Sequence, residues 1–366
     1  MASAAAELLA DLVAIDSINP DLIKGGAGEA QLSEFVADWC SGAGLEVEVD
    51  EVAKGRTNVI ATARGSGGGR SLMLNAHMDT VGIQGMEKPF AGRIADGRLY
   101  GRGAYDMKSG LAAIMLAASR AQKAGLAGDV ILTAVCDEEV ASIGTAAIAV
   151  ARRADAAIVS EPTEERVCIA HKGFVSWEIE TAGRAAHGSR ADLGVDAIAR
   201  MGGVLVALEQ LDRRLRAGHA HPLVGTGSVH ASLIEGGQEY SSYPARCLLV
   251  GERRTIPGET PEMVESEVRE LLGDVDGWSR VRLSRAPFET RPDEPIVQLV
   301  CRLAGTTDVV GVGFWADSAL LSAAGIPTVL FGPSGEGAHA AVEWVDLASV
   351  ERCAALYFAV AESFCA

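Results

Sequence analysis

Residues 71–106 read SLMLNAHMDTVGIQGMEKPFAGRIADGRLYGRGAYD, and the fold is decided by this stretch. The apolar run Leu72-Met73-Leu74 is too short for a helix and predicts a buried strand. His77 and Asp79 follow where that strand ends. Positions two apart in extended chain point to one face, so the imidazole and the carboxylate are expected to be neighbours. A carboxylate beside one ring nitrogen fixes the tautomer and frees the other nitrogen for a metal. The segment GRLYGRGAYDMKSG then turns the chain back and presents Asp106 just ahead of a helix expected over Lys108–Ala124.

Working outward, the same arrangement recurs. DVILTAVC (129–136) predicts a buried strand running straight into Asp137-Glu138-Glu139, and AAIVSEPTE (156–164) a strand carrying Glu161. Helices are expected over 2–15 and 29–41, with strands over 45–52 and 57–63. RGSGGGR (64–70) is a turn, because no Lys-Ser/Thr follows to make it a phosphate loop. Strands alternating with helices imply an α/β layer with active groups at strand C-termini. Near Gly173 the pattern changes. FVSWEIETAG (174–183), a helix over Leu193–Leu215, TGSVHASLIEGG (226–237), ARCLLVGERRT (245–255), a helix over Glu262–Leu272 and WSRVRLSRAP (278–287) give the order of a split βαβ unit. From about Arg291 the first style returns, with helices near 294–304 and 316–324, a strand in IPTVLFGP (326–333), a loop bearing His339 and a last helix capped by Asp346.

The fold class expected is therefore α/β. A discontinuous catalytic domain (1–173 and 287–366) with a mixed sheet flanked by helices carries an inserted α+β, ferredoxin-like domain (174–286). The 366 residues, 48% apolar and 22% charged, suit a globular protein of two domains. A net charge of −17 disfavours nucleic-acid or anionic-membrane partners, which want a basic face. Seven scattered cysteines without a CxxC pattern fit reduced thiols in a cytoplasm. The N-terminal stretch carries Asp11 and Asp16 inside its apolar pattern and reads as an amphipathic helix, not a signal peptide.

Five segments each place a metal-capable side chain at a strand or loop end: His77, Asp106, Glu138-Glu139, Glu161 and His339. Imidazoles and carboxylates without thiolates suit a hydrolytic zinc-type centre, cobalt and manganese being alternatives. Two imidazoles and three carboxylates suffice for two ions if one carboxylate bridges. The paired acids at 138 and 139 then divide into a ligand and a general base.

HMDTV, GRLYGRGAYDMKSGLAA, DEE, SEPTE, GRAAHGS and GPSGEGAH followed by EWV, in that order, resemble the metallopeptidase family of acetylornithine deacetylase, succinyl-diaminopimelate desuccinylase, aminoacylase and glutamate carboxypeptidase. The resemblance covers essentially the whole chain. It implies two divalent ions, with Asp106 bridging them, His77 and Glu161 completing one site, and Glu139 and His339 the other. It further implies Glu138 as base, Asp79 as the partner that orients His77, and the inserted domain as lid and dimerisation module of a homodimer. His187 in GRAAHGS would then bond the tetrahedral oxyanion across the dimer. Arg254 stands where the family holds the substrate carboxylate, and Ser241 where it often has a substrate-binding Asn. Glu252, Ala191, Trp315 and Trp344 also depart from the common pattern, and such changes bear on which substrate is taken.

The activity implied is cleavage of the amide of a small N-acyl amino acid. The alternative is a dipeptidase or glutamate-carboxypeptidase-like exopeptidase of the same fold. A binding protein that lost catalysis would lack a ligand or the base, and none is missing. A nucleotide-dependent oxidoreductase would need GxGxxG after the first strand, which GRGAYD does not provide. His171, His219, His221, His230 and Cys136 read as packing or surface residues.

Overall fold

The computed structural model describes residues 3–366, and the chain divides into two compact units. The first comprises Met1–Ile169, Thr290–Val310 and Ala316–Ala366, and the second Ala170–Glu289 with Gly311–Trp315. The fold is mixed α/β.

Four adjacent parallel strands form the centre of the first unit's sheet: Val130–Val135, Leu72–His77, Ala156–Val159 and Thr328–Leu330. Glu46–Ala53 and Arg56–Ala63 extend it antiparallel on the Val130–Val135 side. The strand Leu72–His77 is buried along its whole length, as its unbroken apolar run requires of a strand covered on both faces. The connection from it to Val130–Val135 passes through the helix Lys108–Ala124, whose Ala-, Leu- and Met-rich sequence favours helix and which stops at left-handed Gly125. Gly110 in its first turn lies against the turn after Ala156–Val159. A Cβ there would come within 2.3 Å of the Ser160 carbonyl oxygen, so only glycine lets the helix start this close to Glu161. The last helix, Leu347–Phe364, is capped by Asp346, whose carboxylate accepts from the Ala348 amide at 3.0 Å.

Several details differ from the expectations. The first helix runs over Ala4–Ala14, Ala2 lying outside the described residues. The strand bearing the SEPTE segment stops at Val159, leaving Glu161 on the turn beyond. Val167–His171 is a strand the alternation did not signal. A small antiparallel sheet of Gly335–Glu336, Trp344–Asp346, Arg98–Tyr100 and Arg93–Ala95 was likewise not anticipated, because strands of two or three residues carry no periodicity.

The second unit holds a four-stranded sheet in the order Ser228–Gly236, Arg246–Thr255, Gly173–Ala182, Gly277–Arg285. All neighbours are antiparallel, which is the ferredoxin-like arrangement. Gly173–Ala182 alternates strictly between buried and half-buried residues. Its inward Val175, Trp177 and Ile179 pack with Met201, Val204 and Leu208 of the helix Ala197–Ala217 and Val264 and Val268 of Pro261–Leu272. The helix begins four residues later than expected, where Asp196 caps it through the Ala199 amide at 2.9 Å.

All seven cysteines are buried, Cys136 among them, and none is joined in a disulfide. Among the described residues, no helix is long and apolar enough to cross a membrane.

Candidate metal centre

Parallel strands end together, so whatever follows them gathers at one edge. His77 is the last residue of Leu72–His77. Glu138 and Glu139 follow Val130–Val135, Glu161 follows Ala156–Val159, and the loop holding His339 follows Thr328–Leu330. Asp106 comes to the same edge from the turn that opens the helix Lys108–Ala124.

The distances make one cluster of the six. His77 Nε2 lies 3.3 Å from Asp106 Oδ1, 3.8 Å from Glu161 Oε1 and 4.0 Å from Glu138 Oε2. His339 Nε2 lies 3.3 Å from the other oxygen, Asp106 Oδ2, and 3.2 Å from Glu139 Oε2. Asp106 thus stands between two imidazoles with one carboxylate oxygen toward each. In two triads, His77–Asp106–Glu139 and His77–Glu138–Glu161, one donor atom from each residue lies within 4.8 Å of the others. Glu138 therefore sits as close to the first imidazole as a ligand, although the resemblance gives it the role of base.

Burial makes this grouping electrically unstable unless positive charge enters it. Loss of water pushes the Glu138 and Glu161 carboxyls well above the ordinary carboxylate range, with neighbouring acids adding to the shift and His77 opposing it. Burial raises Glu139 as well. Hydrogen bonds that the His339 ring donates to Asp106 and Glu139 raise its pKa to about 10, and Asp106 is held low by both imidazoles against the effect of its burial. Burial pushes Asp317 up to about 6 against a 2.6 Å hydrogen bond from the Thr145 hydroxyl, and its charge bears on Glu138 and Glu161. Four carboxylates and two imidazoles, all oxygen and nitrogen donors, fit a pair of divalent cations in both charge and ligand type.

The partner expected for His77 is placed differently. The Asp79 backbone oxygen, not its carboxylate, accepts from His77 Nδ1 at 2.9 Å, and the nearer carboxylate oxygen is 3.6 Å away. The tautomer is fixed all the same, leaving Nε2 toward Asp106. The carboxylate instead accepts from the Glu138 amide at 3.0 Å and the Glu139 amide at 3.1 Å. It acts as an anchor under the acidic pair.

That anchor belongs to a buried network which local sequence reading missed. Asn19 Nδ2 bridges Asp79 at 2.8 Å and Asp137 at 3.0 Å. Arg56 joins Asp137 at 2.8 Å and Glu29 at 2.7 Å, and the Asp137 amide donates to Glu29 at 3.1 Å. Asp137 takes a left-handed backbone (φ 70°), and this network holds it there so that the two following acids face the edge. We expect Asp79→Asn to leave one amide of the pair without an acceptor, lowering stability by about 1–3 kcal/mol and reducing kcat with metal content retained. Urea unfolding together with steady-state kinetics checks this.

The remaining expected residues lie in the second unit. His187 is exposed, and its Nδ1 accepts from the Ser189 amide at 3.2 Å, with the Ser189 hydroxyl at 2.8 Å. Ser241 adjoins it, its carbonyl accepting from the Gly188 amide at 2.6 Å. Arg254 is paired with Glu252 at 2.7 Å and lies over the Phe174 ring at 5.3 Å. Of the residues read as packing, His171 is buried against Phe288, and His221 is buried and pairs with Glu289 at 3.0 Å.

Known proteins resemble this chain over nearly its whole length. Acetylornithine deacetylase of Myxococcus xanthus is 32% identical over 381 aligned positions, covering 98% of this chain and 96% of that protein. The enzyme of the same name from Proteus mirabilis is 30% identical with the same coverage. Among solved structures, a tripeptidase from Staphylococcus aureus superposes with a TM-score of 0.80 at 20% identity, covering 99% of this chain and 98% of that one. A dinuclear metal-binding peptidase from Bacillus subtilis gives 0.74 at 17% identity, covering 99% and 97%. A profile of the peptidase family M20/M25/M40 matches residues 73–363, the span that holds every member of the cluster. The chain belongs to that family and is a hydrolase.

Proposed function

We propose that the protein is a two-metal amidohydrolase that cleaves the amide of a small N-acyl amino acid. The observation that carries this is Asp106, one oxygen facing each imidazole, with Glu138 beside the first of them. When bound, a pair of zinc ions, or cobalt or manganese in their place, polarises the scissile carbonyl and makes a water molecule acidic enough to attack. His77, Asp106 and Glu161 would hold one ion, and Asp106, Glu139 and His339 the other. Glu138 takes the proton of the attacking water as the new C–O bond forms. It delivers that proton to the nitrogen as the C–N bond breaks, releasing a carboxylate and a free amine.

The second unit is assigned the part of lid and dimerisation module of a homodimer. Because the Ser189 amide donates into Nδ1 of His187, the neutral ring carries its proton on Nε2, ready to donate to a tetrahedral oxyanion. Arg254 is assigned to the substrate carboxylate, with Glu252 holding its guanidinium, and Ser241 to a neighbouring polar contact. Seven buried cysteines without a disulfide suit a cytoplasmic setting. If His187 acts across the dimer, mixing His187→Ala with Glu138→Ala protein should restore activity toward about a quarter of wild type, since half of the re-paired dimers regain one complete site. No recovery would place its action within one subunit.

The N-acyl reading rests on relatives aligned end to end at 30–32% identity and named acetylornithine deacetylase, whereas the peptidase structures share the fold at 20% or less. The test is a panel of N-acetyl amino acids, N-succinyl amino acids and dipeptides. We expect kcat/KM on an N-acyl amino acid to exceed that on any dipeptide by tenfold or more. The reverse order would make the protein an exopeptidase.

A further inference from the structure

Glu343, in the segment EWV, is fully buried, and four donors converge on its carboxylate. Oε2 accepts from Arg102 Nη1 at 2.6 Å and the Gly103 amide at 3.0 Å. Oε1 accepts from the Tyr105 amide at 2.9 Å and the Asp106 amide at 3.0 Å. The backbone of the turn that presents Asp106 is thus gathered onto one side chain, and that side chain comes from the loop of His339. Arg102 closes the ring. Its Nη2 donates to the Ala340 carbonyl, next to His339, at 3.0 Å, and its Nε to the Gly82 carbonyl at 3.0 Å. Pairing of Trp344 with Tyr100 in the small sheet sets the register that brings the two loops side by side.

We propose that Glu343 and Arg102 are a positioning pair that fixes Asp106 relative to His339, and so sets the affinity of the second metal position. The proposal rests on the two-metal reading above. A buried carboxylate with four donors has no spare lone pair and no freedom to turn, so its geometry passes directly to the groups it holds. His339 itself is exposed and has a left-handed backbone (φ 62°), so its own packing does little to aim it. Its aim comes from the clasp on Ala340 and from Asp106 and Glu139. Glu343→Gln keeps the shape but turns an NH2 toward donors. Arg102→Lys keeps a cation beside Glu343 but removes the fork that reaches Ala340 and Gly82 together.

The test is titration of metal-free protein with Co(II), followed by calorimetry and by the visible spectrum of the bound ion, with thermal unfolding of each metal-free variant as the folding control. Wild type should take about two equivalents. In Glu343→Gln and in Arg102→Lys the first equivalent should bind as in wild type. The second should bind about 10–100-fold more weakly, as for an outer-sphere partner of a ligand, with an altered spectrum. If wild type takes fewer than two equivalents, the two-metal reading itself falls. If wild type takes two and both folded variants match it in affinity and spectrum, the positioning role is overturned. If both variants lose cooperative unfolding, the pair is an element of folding and the positioning role is again overturned.

Discussion

Glu138→Ala is expected to lower kcat by about 10²–10⁴-fold, the range a positioned general base contributes, and to keep the metal content of wild type. The separation of the two effects follows from where the side chain sits. Glu138 is 10% exposed, and its Oε2 is 4.0 Å from His77 Nε2, whereas Asp106 is closer to both imidazoles and Glu139 is paired with His339. On the proposed assignment, removing Glu138 would leave a set of oxygen and nitrogen donors for each ion: His77, Asp106 and Glu161, and Asp106, Glu139 and His339. What would be lost is the group to which the proposal gives the transfer of a proton from water to the leaving nitrogen. Metal analysis of the purified variant beside its steady-state kinetics checks this. Near-wild-type turnover would remove Glu138 from the chemistry. A matching loss of metal would make it a ligand, as its place in a triad with His77 and Glu161 allows.

Asp106→Ala has the opposite signature: metal content and activity fall together. Asp106 offers one oxygen to each imidazole side, at 3.3 Å in both cases, so in the proposed bridging role its loss would take a ligand from both ions at once. It also removes the negative charge nearest both rings. We expect each affinity to drop by more than the roughly 10–100-fold typical of an outer-sphere change, leaving fewer than one equivalent of metal after dialysis. The turn itself should survive, because Glu343 holds its backbone amides and not the Asp106 side chain. Retention of two equivalents with wild-type affinity would contradict the bridging role.

The members of the cluster were legible because each follows a short apolar run or a marked turn, and an edge of parallel strands needs no further information to bring them together. The groups that aim them were not. Asn19 reaches Asp79 across 60 residues and Asp137 across 118, and Arg102 meets Glu343 across 241. Nothing in the neighbourhood of Asn19 or Arg56 signals a buried role, since an arginine ahead of a strand reads as a solvated end. Burial is settled only when Glu29, Asp21 and Asp137 arrive around it. Asp79 illustrates the limit of spacing arguments. Its closeness to His77 follows from extended spacing, but the competition between its carbonyl and its carboxylate for the ring is decided by the amides of Glu138 and Glu139. In the second unit the strict alternation of Gly173–Ala182 made the strand plain. The five residues Gly311–Trp315 that join that unit from a distant part of the chain carry no such pattern.

The most direct measurement counts metal and activity in one preparation. Purified protein is stripped with a chelator, its metal content measured, and hydrolysis of an N-acetyl amino acid followed as zinc or cobalt is returned. The account predicts about two equivalents bound per chain, hydrolysis lost on stripping, and hydrolysis regained as the sites fill. Full activity in the metal-free protein, or a chain that binds no divalent ion at this cluster, would contradict it.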